Sequence, residues 1–275
     1  MSALNTLRRL TSDAYVKVFA GARTRRLNEL VLDMALRARG FGNSGSIQVT
    51  GEASFVALLA RGPVDLCLDI GANRGEYSEA LLLSTPATVI AFEPLPQTYA
   101  DLSTLEARFP RRFFAVNKGV GDVEGQLDLH WGENSQLASF SKEVLAIGYV
   151  GACNTRSTSV PVTTVDDYFA AEGRAFANRD ITLLKIDTEG FEYEVLQGAQ
   201  RTIAQRRPRF VQFEFNHHQL LRGHTLYSMS RLLPDYRVHQ ILPGNRGLLA
   251  VKPEDPVANT FGYANFVLIR PDVTI

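Results

Sequence analysis

The segment Lys185-Ile186-Asp187-Thr188-Glu189-Gly190 sets an ammonium and two carboxylates at alternate positions, where an apolar run gives way to a helical pattern. Alternate residues of a strand share a face, so these charges would leave it toward one side. Asp187 or Glu189 could then take a proton from a hydroxyl while Lys185 steadied the developing oxyanion. The plain alternative is helix capping, since a helix N-terminus attracts negative charge. A second polar group, Glu214-Phe215-Asn216-His217-His218, closes the next apolar run. His217 or His218 suits a base near neutral pH, and adjacent side chains point different ways, so one of the two is expected to face the reacting group. Magnesium would accept oxygens from Asp187, Glu214 and Asn216. No compact carboxylate and histidine set has conventional metal-binding spacing, so the expectation is that no metal is held.

Upstream, Leu66-Cys67-Leu68-Asp69-Ile70-Gly71-Ala72-Asn73-Arg74-Gly75 places two glycines between an apolar run and a helical one, where the backbone must bend and approach a ligand. Glu93 ends the neighbouring apolar run, where a carboxylate can accept both hydroxyls of a ribose. Asp69, just before the turn, could bind the ammonium of an amino-acid moiety. A dinucleotide site shares the acid but needs the G-x-G-x-x-G spacing that seats a pyrophosphate on the helix N-terminus. Gly71 and Gly75 are separated by three residues, and an acid at Asp69 would repel a phosphate. Asp122, in Asn117-Lys118-Gly119-Val120-Gly121-Asp122, could reach an adenine amino group; an ordinary turn is an equal reading.

The elements that must position these groups alternate between short β-rich runs and helices, the pattern of a parallel sheet covered on both faces. Strands are expected over residues 64–70, 87–92, 113–116, 126–131, 159–165, 181–186, 210–215, 236–242 and 264–270. Helices are expected over 76–83, 97–108, 191–205 and 227–233, with Asp166 and Asp167 capping a further short one. Trp131 and residues 135–141 either line a substrate loop or form an exposed one.

Composition narrows the function further. The chain has 275 residues, with 29 basic and 29 acidic side chains, which argues against nucleic acid as partner because phosphate contacts demand excess positive charge. Two cysteines without a C-x-x-C pair suggest neither a disulfide framework nor structural zinc, and fit a reducing cytoplasm. No apolar run reaches the length of a transmembrane segment. Residues 1–45 are rich in arginine, with leucines and valines at helical spacing, and read as one or two amphipathic helices before a catalytic domain at 46–275. They would cap that domain, or contact a membrane surface or a partner such as a second copy.

Taken in order, Asp69-Ile70-Gly71-Ala72-Asn73-x-Gly75, Phe92-Glu93-Pro94, Val116-Asn117-Lys118-Gly119 with Gly121-Asp122, and Leu184 to Glu192 resemble the FkbM-like methyltransferases over about residues 64–270. The resemblance implies a Rossmann-like α/β fold, a seven-stranded, mostly parallel sheet with an antiparallel last strand, and S-adenosylmethionine as cofactor. It further implies methylation of a hydroxyl on a small-molecule or glycan acceptor. Rival readings are a nucleotide-dependent oxidoreductase, disfavoured by the glycine spacing, and a non-catalytic binding protein on the same scaffold.

Overall fold

The computed structural model describes residues 3–176 and 178–275; Arg8, one of the arginines of the 1–45 segment, lies outside the described side chains. The chain divides into two compact units, one ending at Gly42 and the other Asn43–Ile275. In the first, α1 (Ala3–Phe19) and α2 (Arg25–Ala38) are joined by a short 3-10 turn, Ala22–Thr24. Tyr15 donates to Asn28 Oδ1 at 2.8 Å, and Asn28 Nδ2 donates to the Phe19 carbonyl at 2.9 Å, which fixes the corner between the helices.

The second unit opens with α3 (Ile47–Thr50) and α4 (Glu52–Leu59), followed by β1 (Leu66–Ile70), α5 (Glu76–Ser84), β2 (Thr88–Phe92), α6 (Pro96–Arg108) and β3 (Phe113–Val116). It continues through β4 (Gly119–Val120), β5 (Gly125–Trp131), α7 (Gly148–Cys153), β6 (Arg156–Thr163), α8 (Val165–Ala170) and β7 (Ile181–Ile186). Then come α9 (Glu192–Gln197), α10 (Gln200–Arg206), β8 (Phe210–Phe215), α11 (His217–Arg222), α12 (Leu226–Ser230), β9 (Arg237–Ile241), β10 (Leu248–Ala250) and β11 (Ala264–Ile269). The main sheet has the order β10-β9-β11-β8-β7-β1-β2-β3, and β4, β6 and β5 form a separate small sheet.

Every residue of β1, β2, β7, β8 and β11 is buried, as expected of strands covered on both faces. The mostly parallel sheet with an antiparallel last strand is present, β11 running antiparallel to both neighbours, but it has eight strands where seven are expected, the short antiparallel β10 adding one at the edge. The helix expected over 191–205 is interrupted at Gly198. A Cβ there would lie 1.9 Å from the Gly121 carbonyl, so backbone contact with a neighbouring loop displaces the regular helix. Thr164 caps α8 through the Asp167 amide, whereas Asp166 accepts from the Arg201 and Thr202 amides and so caps α10 instead. No helix among the described residues is long and apolar enough to cross a membrane.

The register that matters most pairs Asp69 with Lys185 and Ile70 with Ile186 across β1 and β7. It brings the ends of both strands, each followed by a polar turn, to one sheet edge.

Candidate active site

A cleft of about 1130 Å³ lies along that edge. Its floor begins where β1 ends. The amides of Gly71 and Ala72 donate to the Phe92 carbonyl, and the Asp187 amide donates to the Ile70 carbonyl at 2.9 Å. Gly71 has φ +77°, and a Cβ there would lie 1.7 Å from the Asp187 carbonyl oxygen; only glycine allows the two turns to meet. Gly75 plays a different part from the ligand contact expected of it. It does not line the cleft, and its missing Cβ makes room for Leu105 and Leu102 beneath α5.

Glu93 does line the cleft and is 6% exposed. Its Oε2 accepts from the Asn73 amide at 3.0 Å and its Oε1 from the Leu95 amide at 2.9 Å. Burial pushes its carboxyl up to about 7, against the opposing pull of those two amides. Asn73, at φ +49°, also borders the cleft, and Ser135 donates to its side-chain oxygen at 3.2 Å.

Two further expected cofactor contacts are not at the surface of the cleft. Asp69 is wholly buried, accepting from Ser78 Oγ at 2.6 Å and lying 3.3 Å from Lys185 Nζ. Its side chain lies on the same face as that of Lys185, its register partner on β7, but deeper, beneath the floor, where it meets the ammonium. Asp122 is exposed and outside the cleft wall, where Lys118, Gly119 and Val120 stand instead.

At the other end, Lys185, Asp187 and Glu189 all line the cleft. Lys185 Nζ lies 3.1 Å from Asp187 Oδ2 and 5.1 Å from the centre of the Tyr77 ring. Burial opposes its charge, but Asp187, Asp69 and Glu52 outweigh burial and hold the ammonium above its ordinary range. Glu189 has φ +54° and Gly190 +102°, an uncommon left-handed pair. Glu192 explains the turn: its carboxylate accepts from the Thr188 amide at 2.8 Å, from Thr188 Oγ1 and from the Gly190 amide. The turn presents Glu189, whose carboxyl is raised well above its usual range by burial and by the charge of Asp187.

Both histidines border the cleft, where one was expected. His217 Nε2 is 3.1 Å from the Tyr149 hydroxyl, while His218, 1% exposed, has Nδ1 3.0 Å from Glu189 Oε2. Burial lowers the pKa of each. Asn216 caps α11 by accepting from the His218 amide, and its Nδ2 donates to Glu214. Glu214 is raised by burial and then by Glu189 and Asp187.

The oxygens of Asp187, Glu189 and Glu214 lie within 4.8 Å of one another, near enough to share a divalent cation, so Glu189 rather than Asn216 stands in the carboxylate set beside Asp187 and Glu214. Against that fit, the Lys185 ammonium already meets Asp187.

A buried chain of hydrogen bonds was not anticipated: Tyr77 donates to Gln212 Oε1 at 2.6 Å, and Gln212 Nε2 donates to Glu52 Oε1 at 2.7 Å. The one available signal was Gln212, a polar residue within the apolar run Phe210–Phe215. Tyr263, whose hydroxyl pKa burial also raises, completes the far wall.

A sequence profile of the FkbM methyltransferase domain matches residues 69–237. The 2-O-methyltransferase NoeI of Sinorhizobium fredii is 26% identical over 230 residues, covering 76% of this chain and 88% of that protein. The hexuronic acid methyltransferase AglP of Haloferax volcanii is 28% identical over 134 residues, 49% of each chain, so the match spans about half of AglP. Among solved structures, an O-methyltransferase of Bacillus cereus in complex with SAH aligns with a TM-score of 0.43 at 11% identity, over 94% of this chain and 97% of that one.

Proposed function

The chain belongs to the FkbM methyltransferase family, and from that membership we propose that it methylates a hydroxyl of a sugar, glycolipid or other natural product. It is a methyltransferase dependent on S-adenosylmethionine. The hydroxyl acceptor is supported by the names of the two relatives, a 2-O-methyltransferase and a hexuronic acid methyltransferase.

One observation carries the reading: Gly71 and Glu93 share a single cleft with Lys185, Asp187 and Glu189. The residues at its first end fit the cofactor. Gly71 leaves backbone exposed there, and Glu93 keeps lone pairs beyond those given to Asn73 and Leu95, so it would accept the ribose hydroxyls. Gly119 and Val120 would border the base. Bound there, S-adenosylmethionine supplies an electrophilic methyl group on a sulfonium.

At the second end, Glu189 takes the proton of the acceptor hydroxyl. Burial and Asp187 raise its proton affinity, which strengthens it as a base, and His218 stands behind it at 3.0 Å. Asp187, anchored by Lys185, orients the hydroxyl, and the ammonium steadies the alkoxide. His217 and Tyr149 border the acceptor at the cleft wall. Because Lys185 already supplies positive charge at Asp187, the reaction needs no divalent metal.

Incubation with methyl-labelled S-adenosylmethionine and pooled sugar, glycolipid and polyketide acceptors, followed by mass spectrometry, tests the reading. A product methylated on a hydroxyl supports it. Label recovered only on nitrogen, carbon or nucleic acid contradicts it.

A further inference from the structure

The apolar faces of α1 and α2 are open to solvent. On α1, Leu7, Leu10 and Val18 follow helical spacing and are 60%, 62% and 69% exposed. On α2, Leu27, Leu30, Val31 and Met34 form a second stripe, between 40% and 55% exposed. Apolar stripes of this regularity normally face a core, yet nothing within this two-helix unit covers these. At about 100° per residue, Lys17 on α1 and Arg26 and Arg37 on α2 fall roughly a quarter-turn to one side of their stripes. Long basic side chains so placed can lay their stems along an apolar surface while their charged heads reach outward.

Charge decides what would cover the stripes. Residues 1–42 carry eight basic and three acidic side chains, a net +5, whereas the whole chain is neutral, so residues 43–275 carry −5. Lys17, Arg23, Arg26 and Arg39 are exposed and have no ion-pair partner among the described residues. Packing these helices against the same helices of a second copy would bring two +5 units together, which like-charge repulsion opposes. An anionic bilayer offers the complement to both features, a negative surface for the arginines and acyl chains for the leucines. We propose that α1 and α2 form a membrane-surface anchor that lies in the headgroup region of anionic lipid, holding the methyltransferase unit at a bilayer without spanning it.

Flotation of the full chain with vesicles tests this directly. The chain should float with phosphatidylcholine vesicles containing about one-third phosphatidylglycerol, should not float with pure phosphatidylcholine, and should be released above about 0.5 M salt. Leu27→Glu with Leu30→Glu should abolish flotation. Arg23→Gln with Arg26→Gln should lower partitioning about 30-fold, which corresponds to about 1 kcal/mol for each basic side chain near such a surface. Calorimetric binding of S-adenosylhomocysteine, unchanged in both variants, shows that the second unit remains folded. Equal recovery on neutral vesicles, or no flotation at all, overturns the proposal. So does a dimer in sedimentation equilibrium that Leu27→Glu with Leu30→Glu dissociates while vesicles go unbound, which would assign the stripes to a second copy. The readout is independent of methyl transfer, so failure to find an acceptor leaves it standing.

Discussion

Lys185 Nζ lies 3.1 Å from Asp187 Oδ2 at the cleft surface, and the same ammonium reaches Asp69 Oδ1, 3.3 Å away beneath the floor. A single buried cation therefore joins a solvent-facing carboxylate to one with no exposure. Removing it would strand the Asp69 charge where it has no solvent exposure. Lys185→Met should lower stability by about 3 to 5 kcal/mol in urea unfolding, the usual cost of orphaning one partner of a buried pair. Adding Asp69→Asn should recover much of that loss, because the residual charge is gone. A single-variant loss below about 1 kcal/mol, or no recovery in the double variant, would show that the two groups are not energetically linked.

Glu93 gives the apo protein a pH dependence of defined sign. Its folded carboxyl titrates near 7 against an ordinary value of 4.5, so the native state binds the extra proton. The stabilisation is fully present below the lower value and is lost as pH rises through the upper one, by roughly 3 kcal/mol. Glu93→Gln should flatten that part of the stability curve, while the similarly raised Glu192 keeps its own share. Affinity for S-adenosylhomocysteine should run the other way, since the ionised carboxylate is the better acceptor for ribose hydroxyls. Calorimetry should show binding roughly tenfold tighter at about pH 8 than at about pH 6 in the wild type, and nearly flat in Glu93→Gln. A wild-type affinity independent of pH would remove Glu93 from the cofactor site.

Much of this site is legible in sequence because its residues come in short local runs. The Asp69-to-Gly75 turn, Glu93, and Lys185 to Glu189 each leave a strand at the same edge, and strand alternation tells which residues share a face. Alternation does not tell how deep that face lies. Asp69 points beneath the floor and Gly75 into the α5 and α6 packing, although both belong to the most informative motif. Asp122 fails for a related reason, since the small sheet of β4, β5 and β6 leaves it exposed outside the cleft. The chain from Glu52 through Gln212 to Tyr77 spans 160 sequence positions between its first two members, and no local pattern encodes it. The break at Gly198 depends likewise on a distant carbonyl, that of Gly121.

Chelation separates the lysine-based account from a metal-based one. With Lys185 at Asp187, EDTA treatment should leave turnover within about twofold of the untreated enzyme, and added magnesium should not raise it. Activity abolished by EDTA and restored by magnesium or manganese would instead make Asp187, Glu189 and Glu214 ligands.

The central claim is that Asp187 and Glu189 serve the chemical step while Gly71 and Glu93 serve cofactor capture. A group used only in the transition state lowers kcat and leaves cofactor affinity nearly unchanged, whereas a cofactor contact shifts the dissociation constant first. Turnover and S-adenosylhomocysteine binding should therefore be measured side by side in Glu189→Gln and Asp187→Asn, with circular dichroism as a check of folding. The account predicts kcat falling about 10² to 10⁴-fold in Glu189→Gln, and by a smaller factor in Asp187→Asn, with dissociation constants within about threefold of wild type. Near wild-type kcat in both variants would contradict it, leaving the two carboxylates as loop and helix supports and the proton with His217 or His218.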